Sequence, residues 1–188
     1  MLNSNEITQL LRIASQYCSQ QDYKGFNSLL EKNPQLSIDE NLNGKTWSLL
    51  HIASYFDFSL GVQLLIEKGA NINIIEKNGS TPLLIAVSNN CLTSVDTLIK
   101  HKAQINKPDN LGYTPLMSAS SNGNCDILEL LIENKGDISM TDKKGQNAFD
   151  YAGKKNNGKV TSILEKVKMD SFLELTQLTK KTISVHKV

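Results

Sequence analysis

The stretch Asn78-Gly79-Ser80-Thr81-Pro82-Leu83-Leu84-Ile85-Ala86 recurs twice further along the chain and decides the fold. Its later copies are Asn110-Leu111-Gly112-Tyr113-Thr114-Pro115-Leu116-Met117-Ser118-Ala119 and Lys144-Gly145-Gln146-Asn147-Ala148-Phe149-Asp150-Tyr151-Ala152. The closing alanines, together with the earlier Ala53 in Leu50-His51-Ile52-Ala53, are 33 residues apart. A fixed period of about 20 to 50 residues is typical of a repeat architecture.

A second motif keeps the same step between these stretches. Leu64-Leu65-Ile66-Glu67-Lys68-Gly69-Ala70-Asn71-Ile72-Asn73 recurs from Leu98 to Asn106 and from Leu130 to Ser139, and Ile163-Leu164-Glu165-Lys166 closes the last copy. Four units therefore run in phase from about residue 42 to residue 166.

Each recurring residue type has a physical task. Threonine followed by proline predicts a helix start, because the hydroxyl caps the helix and proline tolerates the first helical position. The glycine before it suits a turn that requires positive φ, and the small alanine lets neighbouring helices approach closely. The paired apolar positions, such as Leu64-Leu65, predict a second helix with one buried stripe. Stacking of units is then needed to bury that stripe.

This pattern resembles the ankyrin repeat, which has a period of about 33 residues and the signature T-P-L-H-x-A. The resemblance implies an all-α solenoid of stacked helix-turn-helix units joined by short β-hairpin-like loops. We expect about four clear repeats, a degenerate N-terminal capping repeat and a short C-terminal helix. The predicted single domain is 1–168, made of 5–38, 42–74, 75–107, 108–140 and 141–168, and 169–188 forms a C-terminal helix and tail.

The two ends are predicted from weaker signals. Apolar residues at helical spacing from Ile7 to Cys18, and a second group from Phe26 to Leu30, predict a helix pair that ends at Asn33-Pro34. Terminal repeats are usually atypical because one face meets water. After Lys166, the segment 170–178 is expected to form one short helix, with fraying from residue 180 onward.

Several positions depart from the repeat. In the first clear unit, Thr46 takes the glycine position and Ser48-Leu49 replaces Thr-Pro, which predicts an altered hairpin. His51 is the retained histidine of the signature, and we expect it to be a buried residue that links turns rather than a catalytic group or metal ligand. Lys102 and Lys135 stand where a left-handed glycine is usual at the end of the second helix, with Gly136 as the alternative in the later unit.

Bulk composition excludes several function classes. The formal net charge is +1 and no basic block is present, which disfavours nucleic-acid binding. No apolar run approaches the roughly 20 residues needed to span a bilayer, and the N-terminus lacks the features of a secretory signal. The three cysteines lack metal-ligand spacing, so reduced thiols and a cytoplasmic protein are expected.

Proteins of the resembling family bind other proteins through hairpin tips and the concave face of the first helices. The resemblance therefore implies a partner protein, with the chain monomeric on its own, and twelve of the positions that it carries over are taken as the predicted contacts. They are Lys45, Trp47, Tyr55, Phe56, Asn78, Ser80, Ser88, Asn89, Leu111, Tyr113, Ser121 and Asn122. Aromatic residues concentrate in the first clear unit and predict docking on the N-terminal half. The alternative is that Trp47 and Phe56 only pack against the first hairpin and the capping repeat.

No catalytic constellation is found. The chain lacks G-x-S-x-G, H-E-x-x-H and the phosphate-binding loop, so we predict no enzyme activity and no catalytic, cofactor or metal residues. The open alternatives are an adaptor, an inhibitor or regulatory subunit that occludes one enzyme's active site, and a fragment of a structural scaffold. The bias toward asparagine and lysine, with Arg12 the single arginine, suits an effector of a host-associated microbe that is delivered into a host cell.

Overall fold

The computed structural model describes residues 4–34, 36 and 47–185, and the regular secondary structure of these ranges is entirely helical. The helices are α1 Ser4–Ser19, α2 Tyr23–Lys32, α3 Leu49–Tyr55, α4 Ser59–Glu67, α5 Pro82–Ser88, α6 Leu92–Lys100, α7 Pro115–Asn122, α8 Cys125–Glu133, α9 Ala148–Lys154 and α10 Gly158–Val185.

Consecutive helices form pairs, and the pairs stack in a row. The odd-numbered helices α1, α3, α5, α7 and α9 contact one another in sequence, and the even-numbered helices do the same in a second layer. The four alanines of the repeat, Ala53, Ala86, Ala119 and Ala152, are all completely buried. The predicted all-α solenoid is therefore confirmed, with the odd-numbered helices as its inner layer.

Side-chain caps begin the inner helices where the repeat predicts them. The Oγ1 atom of Thr81 accepts a hydrogen bond from the backbone N–H of Leu84, and Thr114 does the same for Met117. Proline occupies the first turn of both helices. In the last unit the side chain of Asn147 replaces threonine as the cap of α9.

The loops between pairs are short hairpins, as expected. In one of them the N–H of Asp109 donates to the carbonyl of Tyr113, and Gly112 at the tip has a φ of +84°. Successive hairpins are joined, because the N–H of Asn110 donates to the carbonyl of Asn78 at 2.8 Å. The altered first hairpin predicted around Thr46 lies outside the described residues, as does Lys45.

The N-terminal helix pair stacks on the first clear unit, since α1 contacts α3 and α2 contacts α4. The helix α2 ends at Lys32, directly before the predicted stop at Asn33-Pro34. The left-handed residue between its two helices is Gln21, and the equivalent residue of the next pair is Asp57. This step is 36 residues rather than 33, so the first pair is out of phase with the others.

The left-handed residue after the outer helices α6 and α8 is a lysine, which agrees with the first prediction and not with the alternative of Gly136. Lys102 and Lys135 both have a φ of +69°, and they occupy the position of Gly69, whose φ is +91°. Gly136 does not supply the left-handed residue, because the reversal already occurs at Lys135, two residues after α8 ends at Glu133. Gly136 instead packs tightly, since a Cβ built on it would lie 2.9 Å from the carbonyl oxygen of Leu131.

The prediction of a separate short helix after Lys166 is wrong. One continuous helix, α10, runs from Gly158 to Val185, so the expected helix 170–178 and the boundary at residue 168 both fall inside it. The reason is local: no glycine or proline occurs between residues 159 and 185, and nothing there interrupts helical hydrogen bonding. The helix extends to Val185, beyond the residue from which fraying is predicted.

Candidate functional site

The candidate site is the inner surface, by which we mean the hairpin tips together with the exposed ends of α3, α5, α7 and α9. At its N-terminal end three aromatic side chains meet. The ring centroids of Trp47 and Tyr55 are 5.1 Å apart, and those of Tyr55 and Phe56 are also 5.1 Å apart in an edge-to-face arrangement. We call Trp47, Tyr55 and Phe56 the aromatic group.

Two members of the aromatic group pack against the core, and the third is exposed. Trp47 and Phe56 are partly buried against the core, which agrees with the alternative that they pack against neighbouring structure. The carbonyl of Phe56 also accepts a hydrogen bond from Nε2 of Gln21 at 2.9 Å, which ties it to the first helix pair. Tyr55, however, keeps 40% of its surface exposed. Tyr55 is therefore the member of the group most available to a partner.

The middle of the inner surface is polar and uncharged. Ser88, Asn89 and Asn122 are exposed there, and Ser121 is half buried. Some of these groups also join units: the Oγ atoms of Ser88 and Ser118 are 2.9 Å apart. The side-chain amide of Asn122 donates to the carbonyl of Ser88 at 3.2 Å.

The hairpin tips contribute residues of two kinds. Asn78 and Leu111 are exposed, and Leu111 keeps 68% of its surface accessible. Ser80 and Tyr113 are half buried, and Tyr113 stacks edge to face on Tyr151 with centroids 4.9 Å apart. The structure thus separates Tyr113 from the aromatic group and joins it to a residue that the sequence did not single out.

The C-terminal end of the inner surface is basic. Lys154 and Lys155 occupy the same place at the end of α9 as Tyr55 and Phe56 at the end of α3, and both are exposed. The Nζ atom of Lys154 lies 5.0 Å from the centroid of the Tyr151 ring. The Tyr151 hydroxyl donates to Oδ2 of Asp142 at 2.7 Å. Burial, followed by this carboxylate, raises the pKa of Tyr151 to about 12, so the phenol remains neutral.

His51 has the linking role expected for it. The ring is completely buried, its Nε2 atom lies 3.0 Å from the carbonyl oxygen of Ser80, and its Nδ1 atom accepts from the N–H of Ser48 at 3.2 Å. These partners place the proton on Nε2. Burial lowers the pKa of His51. The imidazole is thus a neutral structural group at neutral pH.

Two sets of residues were missed by the sequence reasoning. One carboxylate organises each described hairpin: Oδ1 of Asp109 accepts from the backbone N–H groups of Leu111 and Tyr113. Glu76 and Asp142 do the same in the neighbouring loops, and their spacing of 33 residues was a usable signal. The second set is Ser19 and Gln20, which precede the left-handed Gln21 as Tyr55 and Phe56 precede Asp57. The step of 36 residues hid this correspondence.

The outer surface offers a competing groove of about 490 Å³ between α6 and α8. Its apolar part comes from Leu92 and Leu130, and carboxylates flank it, from Asp96, Asp126, Glu129 and Glu133.

The two buried cysteine thiols, Cys18 and Cys91, are poor nucleophiles. Burial raises the pKa of the Cys18 thiol to about 12 and that of Cys91 to about 11, so both thiols are protonated at neutral pH. The three cysteines are free. The described residues contain no group of three or more His, Cys, Asp or Glu side chains arranged to hold a metal ion. Among the helices described, none has the length and apolar character to cross a membrane.

Comparison with known families agrees with this architecture. Residues 11–109, more than half of the 188-residue chain, match a family model described as ankyrin repeats in three copies. Residues 98–152 match a second model, described as ankyrin repeats in many copies. The sequence has no significant match among curated proteins. Because one family model spans over half of the chain and the stacked helix pairs have the expected form, the chain belongs to the ankyrin-repeat family.

Proposed function

We propose that this protein is a non-enzymatic binding module that holds one partner protein on its inner surface, with the aromatic group as the main contact. Ankyrin repeats are generally protein-protein interaction modules, and this supports the class of function. The observation that carries the choice of surface is Tyr55, an aromatic side chain with 40% of its surface exposed beside Trp47 and Phe56. Interfaces take most of their binding energy from a few such residues.

The chain itself supplies matched substitutions for a test. Tyr55-Phe56 is replaced by Ser88-Asn89 in the next unit and by Ser121-Asn122 in the one after. The double variant Tyr55→Ser plus Phe56→Asn therefore gives the first clear unit side chains that the same fold already accepts. Leu60→Ser is the control, because Leu60 lies on α4 of the same pair and is 55% exposed on the outer layer.

The experiment is affinity capture followed by measurement of the dissociation constant for the captured partner. We expect the double variant to bind at least about 30-fold more weakly, which corresponds to roughly 2 kcal/mol at a hot spot. Circular dichroism and thermal unfolding establish that both variants remain folded. Loss of binding in Leu60→Ser with full binding in the double variant would place the partner on the outer layer and reject the proposal.

Single-partner binding favours the inhibitor or regulatory subunit as the narrower version of this function. The inner surface forms one continuous strip across successive units, and occupation of that strip is enough to cover a partner's active site. The partner's own activity, measured with and without this protein, decides between inhibition and a bridging or scaffold role. The proposal also places the protein in the cytoplasm. A further part of the proposal is that the protein is an effector delivered into a host cell, which the bias toward asparagine and lysine supports. Fractionation of infected cells tests whether the protein reaches the host cytoplasm.

A further inference from the structure

The inner surface changes character from one end to the other. The helices α3, α5 and α7 contain no Asp, Glu, Lys or Arg, whereas the outer helices α4, α6 and α8 all carry charged residues. His51, on α3, is buried, so it contributes no charge to this surface. Along its helices the inner surface is thus aromatic at α3, polar and uncharged across α5 and α7, and basic at α9. The hairpin tip before α5 adds one exposed lysine, Lys77.

The basic end carries an excess of positive charge. Lys143 and Lys144 at the last hairpin tip and Lys154 and Lys155 at the end of α9 are all exposed. Among the described residues, the ion pair found is between Lys100 and Asp96 on the outer helix α6, and these four lysines take no part in it. Two carboxylates, Asp142 and Asp150, lie in the same hairpin and helix and are held by backbone N–H groups of Lys144, Gln146 and Asn147. Backbone hydrogen bonds, with a smaller contribution from Lys144, lower the pKa of Asp142, so two negative charges set against four lysines leave this end with a net charge of about +2.

The middle of the surface suits an extended chain. A bound helix satisfies its own backbone hydrogen bonds, whereas an extended peptide requires donors and acceptors from its receptor. Ser88, Asn89 and Ser121 place hydroxyl and amide groups along this strip. The Ser88 hydroxyl also contacts that of Ser118, and the side-chain N–H of Asn89 donates to the carbonyl of Ile85. A hydroxyl and a side-chain amide each have more than one hydrogen-bonding position, so a bound peptide backbone can use those that remain. They carry no charge that would reject a neutral peptide backbone.

We propose that the inner surface binds one extended peptide segment of the partner, with an apolar anchor on the aromatic group and acidic residues facing Lys154 and Lys155. This inference rests on the proposed function and adds the chemistry of the ligand and the spacing of its two contact regions. The spacing follows from the fold. Packed helices lie about 8 to 10 Å apart, and α3 and α9 are separated by three such steps, or about 27 Å. At about 3.3 Å per residue, the anchor and the acidic residues are about eight residues apart.

The test is a selection from a displayed library of random 16-residue peptides on the immobilised full-length protein. We expect selected peptides to combine an aromatic or aliphatic anchor with Asp or Glu about eight residues away. The single tryptophan of the chain, Trp47, reports binding, because an apolar group against its ring shifts its fluorescence. A parallel selection on Lys154→Glu plus Lys155→Glu is expected to replace the acidic residues with Lys or Arg at the same spacing.

Quantitative binding then uses one selected peptide and its Glu→Gln form. We expect the neutral form to bind the wild type about two- to fivefold more weakly at 0.15 M salt, the upper part of the range for exposed ion pairs. Lys154→Gln plus Lys155→Gln should remove that difference. The control Lys32→Gln plus Lys68→Gln makes the same charge change at the ends of α2 and α4 and should preserve it.

The outcomes separate this inference from the proposed function. Peptides that shift Trp47 fluorescence without acidic enrichment would overturn the inference and leave binding on the inner surface intact. Selected peptides that bind Tyr55→Ser plus Phe56→Asn as tightly as the wild type would count against both. A selection that yields no peptide would overturn the inference alone, because the captured partner tests the surface independently.

Discussion

The Nε2 atom of His51 lies 3.0 Å from the carbonyl oxygen of Ser80, so one imidazole joins the start of α3 to the hairpin that precedes α5. The opposite nitrogen accepts from the N–H of Ser48, the residue that caps the start of α3. In the next two units Leu84 and Met117 occupy the position of His51, and both are buried. The polar link between units is thus made by a residue that the later units replace with apolar side chains.

Replacing His51 with Leu is expected to lower the free energy of unfolding by about 1 to 3 kcal/mol at pH 7.5, the usual cost of leaving buried hydrogen-bonding groups unpaired. Leucine is chosen because Leu84 shows that the fold accepts it at this position. Met117→Leu is the control, since it exchanges one buried apolar side chain for another and should cost less than about 1.5 kcal/mol. Urea unfolding measures both, and equal effects would show that the hydrogen bonds of His51 contribute little.

The same histidine predicts a dependence of stability on pH. Burial lowers the pKa of His51 below its ordinary value of 6.5, so the unfolded chain takes up a proton at a higher pH than the folded protein. The free energy of unfolding should therefore fall as the pH decreases from about 6.5 toward the folded-state pKa, with no contribution from His51 well above 6.5. Urea titrations between pH 7.5 and 5.5 should show a steeper loss for the wild type than for His51→Leu. Parallel curves would contradict this account.

Lys135→Gly is expected to stabilise the protein by about 0.5 to 1 kcal/mol. Lys135 has a φ of +69°, and a left-handed conformation costs a residue with a side chain roughly 1 to 2 kcal/mol. Glycine avoids this cost, but its greater conformational freedom in the unfolded state offsets part of the gain. Lys68→Gly is the control, because Lys68 is also an exposed lysine after an outer helix but has a φ of −81°. It should be destabilising, and thermal unfolding should show midpoints shifted in opposite directions. Stabilisation by both variants would refute the conformational explanation.

Gly112→Ala should destabilise the protein more than Gly145→Ala, although the two glycines have a similar positive φ of +84° and +75°. A Cβ on Gly112 would lie 2.9 Å from the Cα of Asp142 in the next hairpin, whereas one on Gly145 meets nothing within 4 Å. Gly145→Ala therefore reports the conformational cost of about 1 to 2 kcal/mol. The excess for Gly112→Ala measures the close approach of stacked hairpins, and the idea fails if urea unfolding gives equal losses.

The repeat can be predicted from the sequence alone, because the residues that it requires are close together in the chain and recur every 33 residues. A threonine and proline start each typical inner helix, and a small alanine is needed wherever two inner helices touch. Local rules do not decide the left-handed residue after α8, because two of them disagree. The preference of glycine for positive φ favours Gly136, whereas the distance from the end of α8 at Glu133 places the left-handed residue at Lys135. For α10, the absence of helix-breaking residues outweighed the expected end of the repeat.

The candidate site depended much more on tertiary structure. Tyr55 and Phe56 could be assigned to the inner surface from the repeat, and their outward positions follow from helical spacing. Which aromatic residues meet could not be assigned in this way. Trp47 contacts Tyr55 within one unit, whereas Tyr113 contacts Tyr151 of the following unit. Contacts between units depend on how neighbouring helix pairs are packed. The period of the repeat does not give the distances between side chains of different units. The aromatic and basic side chains therefore form one surface only because the helix pairs stack.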